Sequence, residues 1–392
     1  MNVGLSTSVV QGGKSGVGQY VFALVEALAR RAEIQLTLFV LEGDLPLFDF
    51  TRKTVEIVSV SEKYRSPVRN ILWHQTVLPL LARAHGLDVL HVPSYRRMLG
   101  SRPCALVATI HDLAPFRVAR KYDWKRMIYG RVVARRLAHR QDKIIAVSQN
   151  TRQDVLRFFG VPAEKVTVIH NGLDHARFFP GAAKTAKHLV EQHHNLRGPF
   201  FLYVARLEHP AKNHVRLIEA FDQFKAETKS DWQLVFGGAD WHGAQMIHAA
   251  IERSPFRRDI RNLGFVEAHA LPTLYHAADV FAYPSLFEGF GFPPLEAMAC
   301  GCPVLCSTRG ALGEIVGDAA ATADPEDVAS LKMQLIRLAH NPALRERLRH
   351  AGFLQARKFD WDQTASRTLD VYAAAIESAR APAKVRMVRQ HS

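Results

Sequence analysis

The chain contains no apolar run approaching the ~18 residues that a membrane-spanning helix requires. It opens Met1-Asn2-Val3-Gly4-Leu5, without the basic stretch and small-residue cleavage site of a secretory leader. Both absences set the expectation of a cytoplasmic protein. Cysteine is scarce: Cys104, Cys300, Cys302 and Cys306 are the four in 392 residues, too few for a disulfide framework. Three of them fall in Cys300-Gly-Cys302-Pro-Val-Leu-Cys306, where a helix is expected to pass into a strand. That geometry and the missing fourth ligand favour small buried thiols over a metal site. There is no His-Glu-x-x-His, and His193-His194 falls in a polar connector, so no metal is expected. Acidic residues are outnumbered 37 to 51 by Lys and Arg, giving a formal net charge of +14. Such a surplus suits nucleic acid, anionic lipid or phosphorylated substrates. No recognised nucleic-acid motif accompanies it, so nucleic acid is not an expected partner.

What is present is an ordinary globular composition, 48% hydrophobic and 22% charged. The length favours two domains, since single cores stop growing at roughly 250–300 residues. Short apolar runs alternate with helical periodicity almost throughout, which argues for α/β architecture with parallel sheets covered by helices. In the first half the spacing predicts strands at 2–7, 34–41, 55–60, 88–92, 105–110, 143–147 and 166–169, with helices such as 18–30, 68–84 and 124–139. Asn171-Gly172 is a turn signal. Residues 181–198 are small, polar and His-rich, and read as a linker with a short helix. A second series follows, with strands at 200–205, 232–236, 260–263, 280–283 and 303–307 and helices at 215–228, 245–253, 268–277 and 294–299. From 325 to 380 the pattern is helical, with breaks at Pro342 and Asp360, and the basic tail 381–392 is expected to be disordered. The expected units are therefore 1–180 and 199–360, two doubly wound domains with ligand sites at the carboxyl ends of their strands.

The most informative stretch is Phe281-Ala-Tyr-Pro-Ser-Leu-Phe-Glu288-Gly-Phe-Gly291-Phe-Pro-Pro-Leu-Glu296-Ala-Met-Ala-Cys-Gly301. A strand ends near Pro284, a loop carries Glu288, Gly289 and Gly291, and Pro293 and Pro294 suit a first helical turn, where a missing N–H costs nothing. Gly301 ends that helix. Backbone amides beside the positive end of a helix form an anion site, and glycines let the chain approach a phosphate. Glu296, in the expected first turn, is placed to accept hydrogen bonds from a vicinal diol such as a ribose. Glu288, before the turn, can hold hydroxyls beyond the phosphates. A helix-capping loop with a solvated glutamate is the plainer alternative, and spacing alone does not decide between them.

Glu288 and Glu296 stand at the spacing of the E-x7-E motif, and their context resembles the retaining GT-B glycosyltransferases of family 4, in particular bacterial mannosyltransferase-like group 1 enzymes. The likeness runs over nearly the whole chain. It implies two Rossmann-like domains facing a central cleft, with a C-terminal helix at 361–380 crossing back to the first domain. It also implies transfer of a hexose from a nucleotide diphosphate sugar with retention and without a protein nucleophile. Arg206 and Lys212, in Val204-Ala-Arg206-Leu-Glu-His-Pro-Ala-Lys212-Asn213, are two cations in a strand-to-helix loop that can neutralise a pyrophosphate as it departs. The resemblance gives them that role, and it places His111 against the transferred sugar, although a lone strand-end histidine is otherwise structural. The expected catalytic set is His111, Arg206, Lys212 and Glu288.

Gly12-Gly13-Lys14-Ser15-Gly16-Val17-Gly18 follows the first strand, but a P-loop would need glycine where Ser8 stands, and G-x-G-x-x-G is not met. By resemblance, Gly16 is expected on the donor side and Gly18 on the acceptor side of the cleft. Gly238 resembles a phosphate-side turn, Phe265 and Val266 are expected near the nucleobase, and Phe290, Gly291 and Phe292 belong to the donor loop with Glu296. Asp112, Ser148 and Asn171 are acceptor-side or interdomain candidates. The family works without a metal cofactor, using Arg206, Lys212 and the helix end for positive charge. GDP-mannose is the first expectation for the donor, with UDP-glucose and other UDP-hexoses close behind. The expected acceptor is a glycan or a polyprenyl-diphosphate-linked sugar in bacterial surface polysaccharide synthesis. Basic helices at 65–83 (with Trp73) and 126–140 (Arg126, Arg131, Arg135, Arg136, His139, Arg140) are either solvated faces or a surface that rests on anionic lipid at the inner face of the cytoplasmic membrane. A sugar-nucleotide epimerase of the same fold, or a non-catalytic binding protein, are the alternatives outside transfer; the second would be expected to have lost charges that this chain keeps.

Overall fold

The computed structural model describes residues 1–13, 15–51, 54–117 and 129–381. Lys14, the 118–128 stretch that would open the expected helix at 124–139, and the basic tail from 382 on lie outside the described residues. The chain divides into two compact units, Met1–Gly172 with the chain from Asp360 on, and Leu173–Phe359.

In the first unit, seven strands form one parallel sheet: β1 (Asn2–Ser6), β2 (Gln35–Leu41), β3 (Glu56–Val60), β4 (Val89–Val92), β5 (Ala105–Ile110), β6 (Lys143–Ala146) and β7 (Val166–Val168), in the order β3-β2-β1-β4-β5-β6-β7. The inner strands are apolar on both faces because helices cover both sides of the sheet. Helix α1 (Gly16–Ala29) starts on Ser15, whose Oγ accepts from the Gly18 N–H at 3.1 Å. It buries Tyr20, Val21, Leu24, Val25 and Leu28, a stripe at helical spacing. The helix expected at 68–84 is two segments, α2 (Pro67–Thr76) and a short piece Leu78–Ala84, joined at Val77. Pro79 explains the break, since it has no N–H for the carbonyl four residues back. Helix α3 (Gln149–Phe159) stands between β6 and β7, and no sequence signal in its polar first turn had marked it.

In the second unit, six parallel strands follow the order β10-β9-β8-β11-β12-β13. They are β8 (Phe200–Val204), β9 (Gln233–Gly237), β10 (Ile260–Asn262), β11 (Val280–Tyr283), β12 (Val304–Ser307) and β13 (Ala321–Ala323). Residues 181–198, expected as a linker, contain helix α4 (Ala183–His194), which belongs to this unit and buries Ala186 and Val190. The unit thus starts at Leu173, not 199, and its two ends are tied by the Leu173 N–H to the Phe359 carbonyl at 3.2 Å. The other helices are α5 (His214–Thr228), α6 (Ala244–Arg253), α7 (Leu271–Ala277), α8 (Phe292–Ala299), α9 (Val328–His340) and α10 (Pro342–Ala356). Asn341 separates the last two, with its Oδ1 accepting from the Leu344 N–H at 2.8 Å and Pro342 in the first turn.

Asp360 then caps helix α11 (Trp361–Arg380), whose side chains return to the first unit. Ala365, Val371, Tyr372 and Ala375 join Val3, Leu5, Leu24 and Val107 in one apolar core. The turn at Gly172 is a close approach in that unit: a Cβ there would lie 2.4 Å from the Trp361 backbone nitrogen, so only glycine fits.

In both sheets the strand order reverses beside the first strand, between β1 and β4 and between β8 and β11. In doubly wound sheets ligands bind outside the carboxyl ends of the strands at such a reversal. The loops that matter are therefore 205–213 and 284–291 in the second unit, and those following β1, β4 and β5 in the first.

Candidate functional site

In the second unit the loops after β8 and β11 are stitched together. The Leu286 N–H and Ser285 Oγ both donate to the Ala211 carbonyl, at 3.0 and 3.3 Å. Asn213 Nδ2 donates to the carbonyls of Pro284 (3.0 Å) and Pro325 (2.6 Å), and the Tyr203 hydroxyl donates to the Lys212 carbonyl at 2.5 Å. This scaffold presents Lys212 Nζ 2.6 Å from Glu288 Oε1, with both side chains 16% exposed. The Tyr283 hydroxyl donates to the same oxygen at 2.9 Å. Burial pushes the Glu288 carboxyl up, but the Lys212 charge and the hydrogen bonds donated by Lys212 and Tyr283 outweigh it and leave the pKa low. Burial likewise pulls the Lys212 ammonium down, and the Glu288 charge more than reverses it. The result is a buried ion pair under the switch point, ionised on both sides.

Glu296 sits differently. Helix α8 begins at Phe292, two residues before the expected start, because Gly291 (φ 107°) turns the chain into it. Glu296 therefore lies in the second turn, not the first. Its Oε2 accepts from the Tyr275 hydroxyl at 2.8 Å. Burial raises its pKa to about 7, with the Tyr275 bond and the Arg177 charge pulling it down and Asp174 pushing it up. A diol donates well only to the ionised carboxylate. On the diol-holding role expected of Glu296, nucleotide affinity should rise with pH through about 7 and flatten above it, and Glu296→Gln should lose the pH dependence together with the affinity. Calorimetric titration with nucleotide between pH 5.5 and 8.5 checks this; an unchanged profile in Glu296→Gln would assign the titration elsewhere.

Tyr283 ties these charges together, since its hydroxyl, pushed well up by burial, also feels Glu288, Glu296 and Arg206. Arg206 is half exposed, donates to Glu208 Oε2 at 3.3 Å, and lies in the same loop as Lys212. Gly238 has no room for a side chain: a Cβ would lie 1.9 Å from the Ala205 carbonyl oxygen. Its N–H donates to the Gly264 carbonyl at 2.6 Å, so the exits of β8, β9 and β10 are held as one rim. On that rim Phe265 is 59% exposed and Val266 half-buried. Phe290 lies in the expected donor loop with its side chain turned inward. Its ring is buried against Phe292 (5.2 Å) and Phe359 (5.8 Å), so it offers a ligand its backbone only.

Tyr275, Tyr283 and Gly310 were not anticipated. A tyrosine in a buried strand or helix needs a partner for its hydroxyl, and that was the available signal. Gly310 gave none, because its requirement is tertiary: a Cβ would lie 2.6 Å from the Glu288 carbonyl oxygen, which also accepts the Ala311 N–H at 3.0 Å.

In the first unit, His111 follows β5, half-buried, with its ring edge-to-face on Tyr20 at 4.6 Å. A hydrogen bond to the Pro93 carbonyl uses one ring nitrogen, and Nε2 has no partner among the described residues. Burial lowers its pKa to about 4, so the ring is neutral near pH 7 and Nε2 is an acceptor. Asp112 Oδ1 accepts the Ala114 N–H at 2.9 Å, a local turn role. Ser148 caps α3, accepting from the Thr151 N–H at 3.0 Å. Asn171 is buried, with Oδ1 unpartnered among the described residues. Gly16 and Gly18 have ordinary helical backbones; the left-handed conformations in this loop belong to Gly12 (φ 78°) and Gly13 (φ 79°). The four cysteines are free. Among the described residues no group of three or more His, Cys, Asp or Glu could hold a metal ion, and no helix is long and apolar enough to cross a membrane.

Two family models match the chain: "Glycosyltransferase Family 4" over residues 14–177 and "Glycosyl transferases group 1" over 185–355. The O-antigen chain mannosyltransferase B of Escherichia coli is 28% identical over 390 residues, covering 95% of this chain and 99% of that one. The alpha-maltose-1-phosphate synthase of Mycobacterium tuberculosis is 30% identical over 319 residues, covering 74% and 79%. Among solved structures, Anabaena Alr3699/HepE in complex with UDP and glucose superposes with a TM-score of 0.75 at 19% identity, covering 95% of this chain and all of that one.

Proposed function

This chain belongs to the family 4 glycosyltransferases, with the group 1 transferase region in its second GT-B unit, and we propose that it transfers mannose from GDP-mannose to a glycan acceptor of a bacterial surface polysaccharide, with retention of configuration. The observation that carries the reading is Arg206 and the Lys212–Glu288 pair on the two loops flanking the β8–β11 switch point, with Glu296 on the helix that follows the second loop. Mannose is favoured by the full-length similarity to an O-antigen chain mannosyltransferase.

In this reaction the bond from the sugar C1 to the phosphate oxygen breaks, and a bond forms from C1 to the acceptor oxygen on the same face. The acceptor proton passes to the departing phosphate oxygen, and GDP leaves. Arg206 and Lys212 stabilise the charge that grows on the diphosphate. Glu296 orients the ribose diol, and Glu288 holds Lys212 and reaches sugar hydroxyls. No metal cofactor is needed, because the cations are side chains.

The acceptor is proposed to be lipid-linked. Val68, Leu72 and Leu80 are exposed on α2 and the Leu78–Ala84 segment beside exposed Arg69 and Arg83, the composition of a face resting on anionic lipid.

A donor panel tests the reading. GDP-mannose, UDP-glucose, UDP-galactose and UDP-N-acetylglucosamine are supplied in EDTA, with and without phosphatidylglycerol vesicles carrying polyprenyl-diphosphate sugars, and nucleotide release is measured. GDP release from GDP-mannose alone, lost in Glu296→Ala, is the expected result. Release from a UDP-hexose would replace the donor, and conversion of a donor into an isomeric nucleotide sugar without release or acceptor, followed by chromatography, would favour an epimerase. Silence in every arm would remove transfer itself.

A further inference from the structure

Trp241 is 56% exposed, an unusual position for the largest apolar side chain. Its backbone is nonetheless rigidly held. The Trp241 N–H donates to the Leu207 carbonyl at 3.2 Å, the Leu207 N–H to the Ala239 carbonyl at 2.9 Å, and the His209 N–H to the His242 carbonyl at 3.0 Å. The loop after β9 therefore continues the parallel ladder alongside the loop after β8, past the ends of both strands. Gly243 closes this segment against His209, whose carbonyl oxygen would lie 2.9 Å from a Cβ there. What the held backbone delivers is an indole beside Arg206. The guanidinium lies 4.7 Å from the ring centroid, with the buried Glu208 carboxylate as its second restraint at 3.3 Å.

Arginine has many rotamers, and a half-exposed one loses electrostatic reach unless something fixes it. Indole is the strongest aromatic partner for a cation, and it orients the flat guanidinium without consuming its donors. A carboxylate alone would hold Arg206 by the N–H groups that a diphosphate must use. We infer that Trp241 is a positioning residue for Arg206, fixing the guanidinium where charge develops on the departing diphosphate. This inference rests on the donor-site reading above.

The test combines turnover with an inactive probe. kcat and donor KM are measured for wild type, Trp241→Leu, Trp241→Phe, Arg206→Ala and Trp241→Leu/Arg206→Ala. Binding of inorganic pyrophosphate is measured by calorimetry for the same set, and thermal melting confirms that each variant folds. Trp241→Leu is expected to lower kcat about threefold to thirtyfold with a smaller change in KM, and to weaken pyrophosphate by about threefold to tenfold. Trp241→Phe should recover most of both losses. In the Arg206→Ala background, Trp241→Leu should have no further effect on either. Equal losses with and without Arg206, or a phenylalanine no better than leucine, would overturn the inference. A rise in donor KM with kcat untouched would also do so, making the ring a surface for the donor. Pyrophosphate reports on the Arg206–Trp241 coupling even when no donor is turned over, so failure of the donor-site reading and failure of this inference give different results.

Discussion

Replacing Lys212 by methionine should destabilise the protein by about 3 kcal/mol at pH 8 and lower transfer by about a thousandfold. The two losses have one origin. Lys212 Nζ lies 2.6 Å from Glu288 Oε1, and each side chain is only 16% exposed. Removing one partner of such a pair strands the other charge in a poorly solvated site, which costs more than the pair itself contributes. The same ammonium is the group proposed to meet the leaving diphosphate, so the rate falls with the stability.

The pH dependence separates this cause from lost packing. In the wild type the Glu288 pKa is held low, so its stabilising contribution is present above its unfolded value and disappears only as pH falls through the low folded value. In Lys212→Met the counter-charge is gone, burial dominates, and the Glu288 pKa moves up. A carboxyl with a raised folded pKa is neutral and tolerated in acid, and stability declines as pH climbs from the unfolded value through the folded one. Urea unfolding of both proteins from pH 4.5 to 8 should therefore give a stability deficit of the variant, relative to wild type, that widens as pH rises. Adding Glu288→Gln should remove that pH dependence from the deficit and restore much of the stability, while transfer stays lost. A Lys212→Met protein with wild-type stability at pH 8 would mean that Glu288 finds another partner or water, and the buried pair would lose its structural role.

The strands were legible because parallel strands buried on both faces are uninterrupted apolar runs; β11 is Val280-Phe-Ala-Tyr283 and reads as nothing else. β13 is Ala321-Thr-Ala323, too short and too small in its side chains to show a run, and only its pairing with β12 defines it. The boundary near residue 180 was set by composition. The true division at Gly172 and Leu173 depends on which core each segment packs into, and α4 hides its buried Ala186 and Val190 among polar neighbours. Glu288, Glu296, Arg206 and Lys212 were visible as spaced charges, the two carboxylates around a glycine-containing turn and the two cations just after an apolar strand. Their partners were not, because Tyr275, Tyr283 and Gly310 meet them only after the strands are ordered β8-β11-β12. Glycine was legible as a residue type but not as a requirement. Gly16 and Gly18 looked functional, yet the left-handed backbone falls on Gly12 and Gly13, which a local pattern cannot tell apart.

Arg206→Ala should show the opposite signature from Lys212→Met, although both cations stand in one loop. The Arg206 side chain is 49% exposed and its link to Glu208 is 3.3 Å long, so losing it should change stability by less than about 1 kcal/mol. Its proposed work appears only when the bond to the phosphate breaks. kcat should fall about a hundredfold to a thousandfold, with donor KM changed much less, because an interaction that strengthens in the transition state is lost mainly from kcat. Arg206→Lys should restore part of the rate and not all of it, since an ammonium keeps the charge but loses the planar fork and the geometry over Trp241. Steady-state kinetics on the donor that the panel selects, beside urea unfolding of the same preparations, decides the matter. A large KM effect with kcat preserved would make Arg206 a ground-state donor contact, and the stabilisation of the leaving group would then rest on Lys212 and the start of α8.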